Sequence, residues 1–119
     1  MQQRSVVHIE IPAKDHAVTS KFYADLFGWE KHRDESLDYT MFKSGNIGGG
    51  YPEVGELAKA GEVIVYLGSE DIEADLKQIE AHGGKRLGEV VEVPGNGFMA
   101  FFSDPAGNKL ALWQDINSG

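Results

Sequence analysis

A histidine and a carboxylate lie two residues apart near the start of the chain, in the segment "SVVHIEIPAKD". Side chains of a β-strand alternate between faces, so His8 and Glu10 share one face. The apolar residues of the segment share the other face, which we expect to pack against a helix: Val7, Ile9 and Ile11. An imidazole titrates near neutrality, so the pair could act as a general acid or base. It could also be a hydrogen-bonded polar pair, contact a ligand or ligate a metal.

Composition and charge limit the classes of partner. The chain has 119 residues, with 11 Lys and Arg against 19 Asp and Glu and a net charge of −8. A field of that sign repels phosphate backbones and favours cationic small ligands, so we expect no nucleic-acid partner. There are no cysteines, and neither a signal-type segment nor an apolar run of about 20 residues is present. We therefore expect a cytoplasmic protein without a membrane partner.

The first half of the sequence predicts one helix among four strands. Asp15 can cap a helix that runs to about Phe27, and Gly28 follows it as a stop signal. Its apolar residues recur every four positions and share one face: Val18, Phe22 and Leu26. After the first strand and this helix, three extended segments follow at about 29–33, 39–42 and 47–51. The order is β-α-β-β-β.

The second half repeats this order. A strand at 63–67, a helix within 69–84, a segment near Arg86 and strands at 97–103 and 109–114 are predicted. Gly28 and Gly83 are 55 positions apart, as are His8 and Val63. A shared period and element order indicate a duplicated unit.

Two such units predict an α+β fold in one domain, residues 1–119. The first module covers about 5–51, a connection covers 52–62, and the second module covers about 63–115. Each helix covers one face of its sheet and leaves the other face open. The two modules are expected to curl into a mixed sheet around a cavity, with the helices on the outside.

Three segments carry a resemblance to a known family: "HIEIPAKDHAVTSKFYADLFGW", "AHGGK" and "FFSDPAGNKLALWQ". With the duplicated order, they resemble the vicinal oxygen chelate superfamily, which includes glyoxalase I, the bleomycin resistance proteins and the extradiol dioxygenases. Short bacterial glyoxalase-like proteins look most similar. The resemblance implies the two-module fold, a small-molecule ligand and a homodimer.

The resemblance also implies a metal site with four ligands on matching strands. Carried over position by position, the first ligand falls on His8. The other three positions fall on residues without a ligating side chain: Gly49, Val63 and Ala111. His8 with Glu10 supplies at most two donors, fewer than the three that open catalytic sites normally use. We therefore expect no cofactor, and His8 stands as the surviving candidate ligand for a divalent metal.

Glycines and aromatic residues complete the candidate site. The run Gly48, Gly49 and Gly50 either removes side chains from a cavity wall or marks a bulge in an edge strand. Tyr51 and Trp113 are candidate ligand walls. The ligand-binding candidates are therefore His8, Glu10, Gly49, Tyr51, Val63, Ala111 and Trp113.

Two functions compete at this point. The first is a metal-independent binder, of the bleomycin resistance type, that holds an aromatic or cationic molecule without catalysis. The second is a glyoxalase-like lyase or isomerase, with or without the assistance of a metal, in which His8 and Glu10 transfer a proton on a small oxygenated substrate. A partner-binding module with no small ligand is an alternative to both.

Overall fold

The computed structural model describes residues 4–56 and 58–117. They form two compact units, one of residues 8–64 and one of residues 65–117 together with the residues before His8. No helix in these described residues is long and apolar enough to cross a membrane.

The first unit contains one helix and a four-stranded mixed sheet. Its elements are β1 (Val6–Glu10), α1 (His16–Phe27), β2 (Glu30–Asp34), β3 (Tyr39–Ser44) and β4 (Ile47–Gly50). The strand order is β2-β3-β4-β1, in which β1 pairs with β4 in parallel and the other pairs are antiparallel.

The second unit repeats this arrangement. Its elements are β5 (Ile64–Gly68), α2 (Ile72–Ala81), β6 (Lys85–Val93), β7 (Gly97–Ser103) and β8 (Lys109–Asp115). The strand order is β5-β8-β7-β6, with a parallel β5–β8 pair. The predicted α+β class with two βαβββ modules is confirmed. The curling of the modules around a cavity stays a prediction.

Helix α1 begins and ends where the sequence predicts. The Asp15 side chain accepts hydrogen bonds from the backbone N–H groups of Ala17 and Val18, at 3.0 and 3.3 Å. These bonds satisfy two donors that have no partner inside the helix. Gly28 then ends the helix in the left-handed conformation, with φ of 71°.

The face of α1 that packs on the sheet is not the one that its apolar period indicates. Ser20 is 2% exposed, and the Tyr23 ring stacks on Trp29 at a centroid distance of 4.7 Å. The predicted apolar stripe points away from the sheet: Val18 is 66% exposed, Phe22 52% and Leu26 64%. The small Ser20 lets the helix approach the sheet, while the aromatic rings provide the apolar contact area.

An aromatic core lies between α1 and its sheet. Phe42 and Tyr51 are 5% and 3% exposed, and the Phe42 ring stacks on Trp29 at 4.6 Å. Ile9 and Ile11 pack against this cluster, as their face of the first strand predicts. Val7 differs from the prediction: it is 42% exposed.

The core of the second unit lies between α2 and its sheet. Ile72 and Leu76 of α2 are 2% and 1% exposed and pack on the inner residues of β7 and β8. Phe102, 6% exposed, and the partly buried Phe98 belong to the same cluster, so α2 packs on both aliphatic and aromatic side chains of its sheet.

The glycines of β4 belong to a regular strand that lies between two others. Gly48, Gly49 and Gly50 pair without interruption with β1 on one side and β3 on the other, so the edge-strand bulge is wrong. A Cβ atom at Gly49 would collide with the carbonyl oxygen of Ile9 and the ring of Phe42. A Cβ at Gly48 would meet only the Phe42 carbonyl oxygen, at 3.4 Å.

This difference predicts opposite outcomes for two neighbouring substitutions. We expect Gly49→Ala to destabilise the protein by about 1–3 kcal/mol, because the added methyl overpacks the core and displaces backbone. Gly48→Ala is the matched control, and we expect it to change the free energy of unfolding by less than about 1 kcal/mol. Urea unfolding of both variants measures this, and equal destabilisation would contradict the packing described above.

Candidate active site

Three polar side chains share the sheet face opposite α1. His8 and Glu10 alternate with the helix-facing Ile9, and β1 pairs them with Gly48 and Gly50 of β4. Gly50 pairs in turn with Met41 of β3, so β3 places Tyr39, two residues before Met41, on the same face. The pairing of three neighbouring strands thus brings together the imidazole of His8, the carboxylate of Glu10 and the phenol of Tyr39.

The Tyr39 hydroxyl connects the other two groups. It donates to the Glu10 carboxylate, with a distance of 2.6 Å to Oε2, and lies 3.0 Å from His8 Nε2. His8 Nε2 and Glu10 Oε2 are themselves 3.9 Å apart. The side chains of His8 and Glu10 are 27% and 20% exposed, so solvent reaches this chain of hydrogen bonds only in part.

These bonds assign the protons. A phenol has one hydrogen, and here Tyr39 donates it to Glu10. The Tyr39 oxygen therefore accepts from His8, whose Nε2 must carry the hydrogen. In the neutral ring the basic lone pair then lies on Nδ1. The arrangement is a relay in which His8 donates to Tyr39 and Tyr39 donates to Glu10.

Burial and charge act on His8 in opposite directions. Desolvation lowers the pKa of the His8 imidazole below its ordinary value, and the Glu10 carboxylate offsets part of this effect. Burial prevails, so the neutral, proton-accepting form of His8 is favoured at neutral pH. Folding stability contributed by this group falls as the pH is lowered below about 6.5, because the unfolded chain then binds the proton more readily.

The two glycines on this face have different surroundings. A Cβ at Gly50 would collide with the Tyr39 hydroxyl and ring, so glycine at this position is what lets Tyr39 lie over β4. Gly48 has room for a Cβ and lines a shallow depression of about 700 Å³ with Glu30, His32, Met41 and Lys43 among its walls. Gly48 is the residue paired with His8, so this depression adjoins the relay.

Two predicted site residues lie on the opposite face. Gly49 faces the aromatic core under α1, and Tyr51 belongs to that core, where burial raises its pKa to about 12. The β4 positions that share a face with His8 are therefore Gly48 and Gly50, one residue to either side of Gly49.

The second module shows the same displacement by one residue. The N-cap residues Asp15 and Asp71 are 56 positions apart, so the structural counterpart of His8 is Ile64. Helix α2 has 10 residues and α1 has 12. Aligning the glycines that follow the helices, Gly28 and Gly83, therefore gives a period of 55 residues instead of 56. One residue of shift moves a position to the other face of a strand. Val63 precedes β5 and is 51% exposed.

Ala111 and Trp113 share the face of the second unit that is turned away from α2. Ala111 pairs with Tyr66 of β5 and is fully buried. The Trp113 indole N–H donates to Asp115 at 2.7 Å, and Gly97 provides the space beside its ring. Their role as ligand-binding residues stays a prediction.

Tyr39 is a residue of the candidate site that was not predicted from the sequence. A signal was present: the two-residue turn Gly45–Asn46 joins β3 to β4 and pairs Ser44 with Ile47. Counting back along this hairpin places Tyr39 on the face of Gly50, where a glycine leaves room for a large side chain.

Comparison with known proteins identifies the family. The family model described as "Glyoxalase/Bleomycin resistance protein/Dioxygenase superfamily" matches residues 5–112. The chain belongs to this superfamily.

The chain is also similar to individual proteins. A "Glyoxylase-like domain-containing protein" of Didymella fabae is 31% identical, over 87% of this chain and 88% of its own length. The "Anthracycline biosynthesis protein DnrV" of Streptomyces peucetius is 25% identical over 88% of this chain, which spans only 45% of that relative. The crystal structure of hypothetical protein BH1468 from Bacillus halodurans C-125 has a TM-score of 0.74, with 14% identity and 99% coverage of both chains.

The residues of this superfamily member do not fit the four-ligand metal site that the resemblance implies. His8 and Glu10 supply two donors, and the Tyr39 hydroxyl lies between them, hydrogen-bonded to both. The strand positions beside them are glycines, and Ile64 and Ala111 have no ligating atom. Among residues 4–56 and 58–117 no group of three or more His, Cys, Asp or Glu side chains is placed to hold a metal ion.

The electrostatics of His8 give a prediction with a definite sign. Glu10→Gln removes the carboxylate charge that raises the pKa of His8 and leaves the burial that lowers it. We expect the pKa of His8 to fall further in this variant, measured by NMR titration of the imidazole Cε1–H resonance. Glu35→Gln, in the turn between β2 and β3, is the control and should leave the titration unchanged. An unchanged or higher midpoint in Glu10→Gln would contradict the assigned effect of Glu10.

Proposed function

We propose that the protein transfers a proton on a small oxygenated substrate, as an isomerase or a lyase. His8 is the catalytic base, and Tyr39 and Glu10 are positioning residues. The observation that supports this proposal is the Tyr39 hydroxyl, which lies within hydrogen-bond distance of both His8 Nε2 and Glu10 Oε2.

The proposed reaction begins at His8 Nδ1 and passes through an enolate. His8 Nδ1 takes a proton from a carbon next to a carbonyl group, and the electron pair of the broken C–H bond moves onto the carbonyl oxygen as an enolate. Return of a proton from His8 to the other face of the same carbon, with the electron pair moving back from the oxygen to form the new C–H bond, gives the epimer of the substrate. Expulsion of a leaving group from the enolate gives a lyase product.

The neighbouring groups assist each stage. Burial keeps His8 neutral before the reaction, since it lowers the pKa of the imidazole. When Nδ1 becomes protonated, Nε2–H still donates to Tyr39, and the Glu10 carboxylate 3.9 Å from Nε2 stabilises the imidazolium charge. The reaction as proposed uses no cofactor, because these side chains supply both the base and the compensating charge.

A second candidate is binding without catalysis, of an aromatic or cationic molecule. The open depression lined by Gly48 supports an aromatic ligand, since Met41 offers an apolar surface, whereas its Glu30 carboxylate lies among the cationic side chains of Lys31 and Lys43. The support for a cationic ligand is the net charge of −8 of the whole chain. The relative from anthracycline biosynthesis adds a reason to include polycyclic aromatic compounds among the ligands tested.

The family resemblance further supports the proposal that two copies of the chain associate as a homodimer. Association is independent of the proton relay, which lies entirely within residues 8–64 of one chain.

Deuterium exchange tests the catalytic proposal on a panel of simple carbonyl compounds. Small ketones, hydroxyketones and thioesters are incubated with the protein in D2O, and loss of the C–H signal next to the carbonyl is followed by proton NMR. We expect acceleration for at least one compound, reduced by about 10²–10⁴-fold in His8→Ala and to a smaller extent in Tyr39→Phe. His82→Gln, at the end of α2, is the control histidine variant and should retain the wild-type rate.

The same samples separate the two candidates. Exchange at equal rates with the wild type and His8→Ala contradicts the catalytic proposal. Binding of an aromatic or cationic compound, seen as shifts of the His8 and Met41 resonances without exchange, supports the second candidate instead. The free energy of unfolding should then rise with ligand concentration, by about 2.7 kcal/mol when the free ligand is at one hundred times its dissociation constant. A higher melting temperature reports this change.

A further inference from the structure

The outer face of α1 carries a ridge of exposed apolar side chains. Val18, Phe22 and Leu26 follow one another at intervals of four residues, and each is more than half exposed. Positions four apart lie one above the other on a helix, so the three side chains form a continuous row about 12 Å long. Phe27, 60% exposed, extends the apolar surface at the helix end.

The opposite side of the helix already holds the sheet. Ser20 is buried against it, and Tyr23 stacks between Trp29 and Tyr51. The ridge therefore has no role in the core of residues 8–64. Contiguous apolar surface of this kind on a soluble protein marks an interaction site.

Charges beside the ridge indicate what covers it. Lys21 and Asp25 lie along one flank, four residues apart, with side chains 75% and 59% exposed. We propose that a second copy of the chain packs on this ridge, with the two α1 helices antiparallel about a two-fold axis at Phe22. This inference deepens the proposed homodimer by naming its surface and symmetry.

The two-fold axis makes the arrangement self-complementary. Val18 of one copy meets the partner's Leu26, and the two Phe22 rings meet at the axis. The axis also brings the same flank of each helix together. Lys21 then lies about 3 Å along the helix axis from the partner's Asp25, within reach of a lysine side chain, and the pairing occurs twice.

The size of the ridge sets the strength of association. A row of three side chains with Phe27 at one end is smaller than the roughly 800 Å² per partner that stable interfaces bury. We therefore expect a dimer that dissociates on dilution, studied by sedimentation equilibrium from about 1 µM to 1 mM.

Apolar contact is tested first. Leu26→Glu places a charge at the centre of the contact with the partner's Val18, and we expect it to lower the association constant at least about tenfold. Val91→Glu, at a residue of β6 that is 50% exposed, is the matched control and should leave association unchanged. A dimer that forms as strongly in Leu26→Glu as in the wild type overturns the surface proposed here, while the homodimer itself stands. A wild-type chain that stays monomeric throughout overturns both.

Charge exchange tests the antiparallel geometry. In the Lys21→Glu variant the flank carries two carboxylates. In the Asp25→Lys variant it carries two ammonium groups. Each variant alone should associate less than the wild type, because like charges meet across the axis. A mixture of the two should form heterodimers, because both cross pairs are then attractive. The Lys21–Asp25 ion pair within one helix cannot produce this result, so absence of heterodimers on mixing overturns the proposal.

Discussion

The hydroxyl of Tyr39 holds the imidazole of His8 and the carboxylate of Glu10 in one hydrogen-bonded chain. Because its single hydrogen goes to Glu10, Nε2 of His8 must donate, and the basic lone pair lies on Nδ1. The tautomer of the histidine follows from this bond, and so do the direction of proton transfer and the place of positive charge in the reaction that we propose. Gly50 makes it possible, since a side chain there would occupy the space of the Tyr39 ring.

Packing on the α1-facing side of the sheet holds these three residues in position. Gly49 and Ile9 contact Phe42, and Phe42 stacks on Trp29, which stacks on Tyr23 of α1. Packed rings of this kind adjust little, so the strand register beneath the relay is held in place. This aromatic layer also explains why the outer ridge of α1 is available for association, because the layer takes the place that the ridge would otherwise fill.

The sequence predicted the fold well because its signals are local. Asp15, Gly28 and the alternation around His8 each define an element within a few residues, and the repeat supplies the topology. The buried face of α1 was predicted less well. Periodicity shows that Val18, Phe22 and Leu26 share a face, but which face packs depends on Tyr23, Trp29 and Tyr51, which come from distant parts of the chain.

The site required more than local signals. His8 and Glu10 were found because they alternate on one strand, whereas Tyr39 joins them only through the pairing of three strands. The placements of Gly49 and Val63 each differ from the structure by one residue, which reverses the face of a strand. For Val63 the cause is the shorter second helix, since the glycines after the helices are 55 positions apart and the capping residues Asp15 and Asp71 are 56 apart.

The tautomer of His8 tests the central claim most directly. Two-bond proton–nitrogen NMR correlation of the imidazole, recorded above the pH at which His8 titrates, distinguishes a protonated from an unprotonated ring nitrogen. The relay predicts that Nε2 carries the hydrogen and that Nδ1 has the shift of a lone-pair nitrogen. A hydrogen on Nδ1 would mean that Tyr39 donates to His8 rather than to Glu10, and would contradict the account.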